Sequence, residues 1–310
     1  MVMDARLGAP GEQAMPTSSP GLHAKLDTAH VEIGLSTAII SVREDEPEVL
    51  TVRPVSKSRN PHDALPYGPF APRDHRTLEI GLRAWVGEQT GLSLGYVEQL
   101  YTFADRGRHA QPDDTSPHVV SIGYLAFSRP GEQDVTGAAR WRSWYDFFPW
   151  EDWRKGRPEI LSEVLEPRLL EWASRRTGNG TTDRPVDRID RLRIAFGLDG
   201  GTWDEEKVLE RYELIYEAGL VEEALRDGRD AAYEWQDRPK LGAAMRFDHR
   251  RILATSIGRT RAKIKYRPVV FELMPPEFTL FELQKTVEAI LGPHLHKQNF
   301  RRLVESAGLV

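Results

Sequence analysis

Hydrophobic and polar positions change their period several times along the chain. Gly34–Val42 (GLSTAIISV) places β-branched residues around an apolar centre and predicts a strand. Arg43–Glu48 is a charged turn, and Val49–Arg53 predicts the hairpin partner. Pro54, Pro61, Pro66, Pro69 and Pro72 mark residues 54–76 as loop. Leu78, Leu82, Trp85 and Val86 then recur at i, i+4, i+7 and i+8, one face of a helix. Thr77 can cap that helix and Gly91 can end it. Tyr96–Phe103 and Val119–Phe127 predict two further strands around the polar loop Ala104–His118. The order strand, strand, loop, helix, strand, loop, strand is an α+β pattern.

Beyond residue 155 the period is helical. Pro158–Ala173, Val186–Phe196 and Trp203–Asp227 predict helices, with a glycine-rich turn at Gly197–Gly201 and a polar loop at Arg175–Arg184. Arg246–Tyr266 predicts a basic helix, with Gly258 as the place where it would break. Thr279 with Glu282 three positions later is a capping box. It opens a helix over Leu280–Leu291 that buries Leu280, Leu283, Val287, Ile290 and Leu291. Gly292-Pro293 breaks the chain before a second short helix, roughly His296–Ala307, on Phe300, Leu303 and Val304. The outer face of that helix carries Lys297, Gln298, Arg301 and Arg302, which is the helix-turn-helix layout.

Residues 141–153 (WRSWYDFFPWEDW) hold four of the eight tryptophans and predict a core plug or domain seam rather than a base-stacking surface. The first 29 residues are rich in Pro, Gly and Ser, have no signal-like apolar core and predict disorder. No run approaches the length of a membrane span. The absence of cysteine excludes disulfides, thiolate metal sites and cysteine nucleophiles, and fits a reducing cytoplasm.

The net charge of −5 conceals an asymmetry. Residues 246–310 carry 12 Lys+Arg against 6 Asp+Glu, while the other 245 residues carry 30 against 41. Within Arg246–Arg267 the ratio is 8 to 1. An acidic body with a basic C-terminal module suggests a polyanion partner for that module; a solvated basic helix accounts for the charge equally well.

The chemistry lies in Gly68–Leu92. Its end, Ala84-Trp85-Val86-Gly87-Glu88-Gln89-Thr90-Gly91-Leu92, resembles a Nudix box in frame, with Val86, Glu88, Gly91 and Leu92 matching. Ala84, Trp85 and Gln89 stand where the box has arginine and two glutamates, Arg76 stands at the earlier glutamate, and the box is two residues longer when counted from Gly68. Pyrophosphate hydrolysis needs clustered carboxylates to hold divalent metal, and Glu88 alone cannot supply them. The residues therefore predict a catalytically inactive Nudix-like domain with no metal site.

Leu65-Pro-Tyr-Gly68, the helix to Thr90-Gly91-Leu92, Glu98–Phe103 and His118–Tyr124 follow one another in the order seen in NrtR-type regulators of NAD metabolism. Phe278–Gln284, Ala289–Gly292, Lys297–Arg302 and Ser306–Leu309 resemble the winged-helix module of that family. The long helical insert and degenerate box are similar to the NadQ-type regulators among them. The resemblance implies a Nudix-like mixed α/β/α sandwich over residues 30–155, a helical insert over 156–243 and a winged helix-turn-helix over 244–310, after a disordered segment 1–29. No β-hairpin wing is readable after the second short helix.

It further implies a cytoplasmic homodimer, a repressor of NAD biosynthesis genes on a palindromic double-stranded operator. Its effector would be an adenine nucleotide such as NAD(H), ATP or ADP-ribose, with no cofactor required. Arg53, Arg73, Arg106 and Arg108 would pair with phosphate oxygens, against a solvated surface role for each, and Tyr101, Phe103 or Tyr124 would stack the adenine, against plain core packing. On DNA, Lys297 and Gln298 would meet base edges, Arg301 and Arg302 phosphates, and Thr279 a phosphate beside the amides of its helix, with Asn299 also on the DNA-binding surface. The alternatives are a divergent Nudix pyrophosphohydrolase, with Asp105, Asp113 or Asp114 completing a metal site at Glu88, and an adaptor whose basic module binds protein.

Overall fold

The long strand β1 (Val31–Arg43) organises the molecule. Its apolar residues alternate between two cores: Leu35 and Ile39 face one side of the sheet, Ala38, Ile40 and Val42 the other. A strand buried on both faces reads as a nearly continuous apolar run, and this one does. β2 (Glu46–Val52) returns antiparallel through a two-residue turn, Glu44-Asp45, with both residues at positive φ (52° and 61°). Such turns match the right-handed twist of the strands they join.

A computed structural model describes residues 31–53, 62–105, 108, 118–129, 134–175, 185–266, 268–293 and 297–306. The expected disordered segment, residues 1–29, lies outside that range, as do Arg106, Asp113 and Asp114. β3 (Tyr67–Pro69), β4 (Val97–Phe103), β5 (His118–Phe127) and β6 (Ala139–Ser143) complete a sheet in the order β4-β5-β1-β2-β6, with β3 paired to β1 at Gly34–Ser36. β1 and β5 are parallel; the other pairs are antiparallel.

Helix α1 (Leu78–Thr90) covers one face, with Leu82 against Leu35, Ile122 and Tyr124 and Val86 against Ile39 and Leu50. Helix α7 (His249–Tyr266) lies on the other, where Ile252, Ala254 and Ile257 join Ala38, Ile40, Leu125 and Phe127. Gly123 permits this: a Cβ there would stand 2.8 Å from Phe103 and 3.2 Å from Ile252. The result is the α/β/α sandwich expected from the sequence. The expected boundary at residue 244 falls before α7, whereas α7 is the second cover of the sheet. The basic helix is also unbroken at Gly258, whose missing side chain lets the Glu206 carbonyl approach to 2.5 Å of where a Cβ would be.

The aromatic run forms the end of β6 and two 3-10 turns, Trp144–Asp146 and Pro149–Glu151. Trp144, Phe147, Phe148 and Trp150 are fully buried in the core shared by the sheet, α7 and the insert, so the segment is a core plug. The insert contributes α2 (Glu166–Ser174), α3 (Pro185–Phe196), α4 (Val208–Glu217), α5 (Glu222–Arg226) and α6 (Asp230–Tyr233). After a 3-10 turn, Pro268–Leu273, come α8 (Leu280–Leu291) and α9 (Lys297–Ser306). These two pack on a small core of their own: Val270, Met274, Leu283, Val287, Leu291, Phe300 and Val304.

Candidate functional site

The expected capping of α1 is present: Ile80 N donates to Thr77 Oγ1 at 3.2 Å, and Gly91 ends the helix in the left-handed region (φ 76°). The side chains at the box's altered positions hold β3. Trp85 Nε1 donates to the Pro69 carbonyl at 2.9 Å. Gln89 accepts from Tyr67 N at 3.2 Å and donates to Tyr67 O at 2.6 Å. Gly68 is required beneath the indole, since a Cβ there would lie 2.3 Å from Trp85. Glu88 is exposed. Among the described residues, no three of His, Asp and Glu converge in a way that could hold a metal ion.

Immediately beyond β3 a cavity of about 210 Å³ opens over β1, β3 and β5 on the α7 side. Ser36, Ser121 and His249 supply its polar floor, and Tyr67 and Phe247 its aromatic wall. Leu65 N donates to His249 Nδ1 at 3.0 Å. The imidazole proton therefore belongs on Nε2, which donates to Ser36 Oγ at 3.3 Å, and that hydroxyl lies 3.3 Å from Ser121 Oγ. Tyr67, Phe247 and His249 meet edge to face with centroids 5.2–5.3 Å apart. Phe247 takes positive φ (51°), a costly conformation for a bulky residue and one that collects at binding sites. Arg226 fixes it by donating to the carbonyls of Met245 (2.7 Å) and Phe247 (2.8 Å). On its other side Tyr67 lines a cleft of about 320 Å³ with Arg53, Gln89 and Arg246. The floor hydroxyls and imidazole suit ribose or base edges, the aromatic wall a base, and the arginines a diphosphate.

Few of the effector residues expected from the sequence come together here. Arg53 lines the second cleft, exposed and 3.9 Å from Asp63. Arg73 stands exposed in a turn before α1. Phe103 is core beneath Gly123. Tyr124 points to the α1 side of the sheet, within 3.4 Å of Gln99. Arg108 is committed elsewhere: it donates twice to Glu213 (3.1 and 2.7 Å), lies 3.4 Å from Asp248 and stacks 3.9 Å over the Tyr216 ring. Arg106 lies outside the described residues. Ser36, Tyr67, Phe247 and His249 were not anticipated; the only local signal was the string Leu65-Pro-Tyr-Gly68 that carries the family resemblance.

The basic helix α7 is neither a solvated face nor a polyanion surface in this structure. Arg250 pairs with Glu223 (3.2 Å), Arg251 with Glu213 (2.7 Å) and Asp248 (3.2 Å), Lys263 with Glu98 (2.9 Å), and Lys265 with Glu205 and Glu206 (2.7 and 3.0 Å). Asp105, a candidate metal ligand on the hydrolase alternative, is paired with Arg251. Asp248 is pushed up to about 7, first by burial, against the pull of Arg108 and Arg251.

Arg261 and Glu151, both without exposure, meet at 2.7 Å. Arg211 closes the triad at 2.6 Å. Burial alone would raise the Glu151 carboxyl; the two guanidiniums hold it below its usual range.

In the C-terminal module the capping box forms as expected, with Glu282 N donating to Thr279 Oγ1 at 3.2 Å and Thr279 N to Glu282 Oε2 at 2.6 Å. The Thr279 hydroxyl also donates to Glu282 at 2.9 Å, so the role expected of it on a DNA phosphate is displaced by the cap. Phe300 and Val304 are buried, and Gln298, Arg301 and Arg302 are exposed at i, i+3 and i+4. The side chains of Lys297, Asn299 and Leu303 lie outside the described ones.

Residues 270–310 match the family model of the NrtR DNA-binding winged helix domain. A curated relative, the ADPR responsive transcriptional repressor NtrR of Acinetobacter baylyi, is 44% identical over 64 residues, which is 21% of this chain and 26% of that protein. The match thus spans about a quarter of the relative's length. Among solved structures, NrtR of Shewanella oneidensis has a TM-score of 0.51 at 16% identity over 89% of this chain and 84% of its own. The same protein complexed with a 27mer DNA gives 0.51 at 16% identity over 89% and 83%. A MutT/nudix family protein of Enterococcus faecalis gives 0.50 at 15% identity over 95% and 84%. The resemblance to NrtR-type regulators is thus found twice over, in the C-terminal winged helix by family model and in the Nudix-like architecture by fold.

Proposed function

We propose that this chain is a DNA-binding transcriptional repressor of NAD biosynthesis genes, cytoplasmic and homodimeric, released from a palindromic operator by ADP-ribose. The ADPR responsiveness of the Acinetobacter repressor and the DNA complex of the Shewanella protein support the class. NAD(H) and ATP share the adenine and phosphates of ADP-ribose and are weaker candidates for want of such support. The Nudix-like domain is catalytically silent in this proposal, because Trp85 and Gln89 hold β3 where a hydrolase needs carboxylates. The effector occupies the Tyr67–Phe247–His249 cleft, with Arg53 and Arg246 toward its phosphates. Gln298 reads a base edge and Arg301 and Arg302 contact phosphates, with residues 268–310 as the DNA-binding module.

The observation that carries the proposal is the path of α7. The helix begins at His249, in the floor of the cleft, and twelve residues later Arg261 Nε donates to the Ile290 carbonyl in the last turn of α8 at 2.9 Å. At 1.5 Å per residue, one rigid element spans about 18 Å from effector to helix-turn-helix. A ligand that prefers one position of α7 thereby shifts the α8–α9 pair and, in a dimer, the spacing of its two recognition helices. Footprinting on fragments of the source genome, with and without ADP-ribose, tests the proposal: a protected palindrome upstream of NAD biosynthesis genes, lost with the ligand, is expected.

A further inference from the structure

A cavity of about 830 Å³ lies between the edge strand β6 and the helical insert; it shares no lining residue with the Tyr67–Phe247 cleft and Arg53 alone with the neighbouring cleft of about 320 Å³. One wall is built by sheet geometry. Arg140 and Arg142 stand two residues apart on β6 and so point to one side, next to Arg53 at the end of the paired strand β2. The opposite wall, residues 238–244 after α6, brings Arg238 and Lys240.

These five cations face two lining carboxylates, Asp63 and Glu222. Asp63, 5% exposed, is approached by Arg140 at 2.5 Å, Arg142 at 2.8 Å and Arg53 at 3.9 Å. Arg142 has a second carboxylate in Asp146 at 2.6 Å, which leaves Arg140 and the more distant Arg53 sharing Asp63 with it. Nε of Arg140 and Nε of Arg238 are buried without a hydrogen-bond partner. Among the described residues no carboxylate pairs with Arg238 or Lys240. Unpartnered buried donors and clustered like charge are unfavourable unless an anion completes the site.

The walls are fixed before any ligand arrives. Gly242 (φ 73°) lies so close to the core plug that a Cβ would stand 2.7 Å from the Phe147 carbonyl. Ala243 N donates to Asp146 O at 2.8 Å, and the buried Arg250 donates to the carbonyls of Leu241 and Phe147.

We propose that this cavity binds a di- or triphosphate chain, as a second ligand site beside the effector cleft, with which it shares Arg53. Cations on two facing walls suit several linked phosphate groups better than one compact anion, and planar guanidiniums pair with phosphate oxygens two at a time. Val221, Leu225 and Leu241 add an apolar side on which a nucleoside can rest.

Calorimetry on the full chain at fixed ionic strength tests the site with inorganic tripolyphosphate, ATP and sulfate. Tripolyphosphate is expected to bind saturably, one per chain, at least tenfold more tightly than sulfate. Because Arg140→Ala would take from the buried Asp63 one of its two close partners and weaken the fold, the variant of choice is Arg238→Gln with Lys240→Gln. It should weaken tripolyphosphate at least tenfold at an unchanged melting temperature. ATP binding more tightly than tripolyphosphate, and weakened in the double variant, identifies a nucleotide as the ligand of this cavity; equal affinity identifies the bare chain. Equal binding of sulfate, no saturable binding, or an unaffected double variant overturns the proposal. So does a double variant that loses non-specific DNA binding in a protein that takes up no tripolyphosphate, which would make the cavity a nucleic-acid contact.

Discussion

Arg261 Nη1 lies 2.7 Å from the carboxylate of Glu151, and neither side chain has any solvent exposure. The same arginine holds the Ile290 carbonyl, and the same glutamate holds Arg211 on α4. The core plug, the insert and α7 thus meet at one buried carboxylate, and α8 joins them through Arg261. Desolvating such a group is costly, and removing it leaves two buried guanidiniums without their counter-charge. Glu151→Gln should cost about 3–5 kcal/mol in urea unfolding. A milder companion, Arg261→Lys, should fold while weakening the dependence of DNA affinity on the effector.

Why some of this was readable in the sequence, and some not, follows from distance along the chain. β1, β2, β4, β5 and α1 announce themselves because their apolar patterns are local and bounded by turn residues. β3 does not: three residues inside a proline-rich loop become a strand by pairing with the distant Gly34–Ser36 of β1, and Trp85 and Gln89 hold them there. The single helix expected over Trp203–Asp227 divides at Gly219 (φ 73°), where a Cβ would stand 2.3 Å from the backbone of Ala232. Arg108 resembled a phosphate ligand because its partners, Glu213 and Asp248, lie 105 and 140 residues away. His249 reaches Ser36 across 213 residues, which no local pattern encodes. The capping box and the amphipathic α9 were readable because each is a local device.

The cluster around Asp248 gives stability a pH dependence. Asp248, Glu213 and Asp105 carry three acids against two guanidiniums, Arg108 and Arg251, so one proton is welcome there, and burial directs it to Asp248. Its pKa is raised from 3.8 to about 7 on folding. Between those values the folded chain binds more protons than the unfolded one. This contribution to stability is present in full below the unfolded pKa and is lost as pH rises through about 7. Asp248→Asn should flatten the fall in melting temperature between these limits. An unaltered profile in that variant would remove Asp248 as its source.

Catalytic silence is expected of the Nudix-like domain. ADP-ribose, NAD and ATP should be turned over at background rates with magnesium or manganese, followed by release of AMP or phosphate. Metal-dependent turnover abolished by Glu88→Gln would establish the hydrolase alternative instead.

The cleft makes its own prediction. Phe247→Gly removes the ring opposite Tyr67 while suiting the positive φ of the backbone, so the fold should survive. ADP-ribose affinity should fall at least tenfold, a loss of about 1.4 kcal/mol. Thermal shift against ligand concentration reads both quantities, because ligand binding raises stability by mass action.

On the DNA side, base and phosphate contacts separate by their salt response. Gln298→Ala should cost about 1–3 kcal/mol on the cognate duplex alone and relax preference at one base pair. Arg302→Ala should weaken cognate and scrambled duplexes alike and reduce the salt slope by about 1. Wild-type behaviour of both variants would move the DNA-reading surface away from α9.

One ligand in the Nudix-like cleft is expected to control DNA binding by α9. Fluorescence anisotropy of a labelled operator with the full chain, titrated with ADP-ribose at constant salt, measures it directly. The proposal predicts saturable release of the operator at ligand concentrations that match the thermal-shift affinity, and release lost in Phe247→Gly. Operator binding that stays constant while ADP-ribose saturates the protein would contradict it.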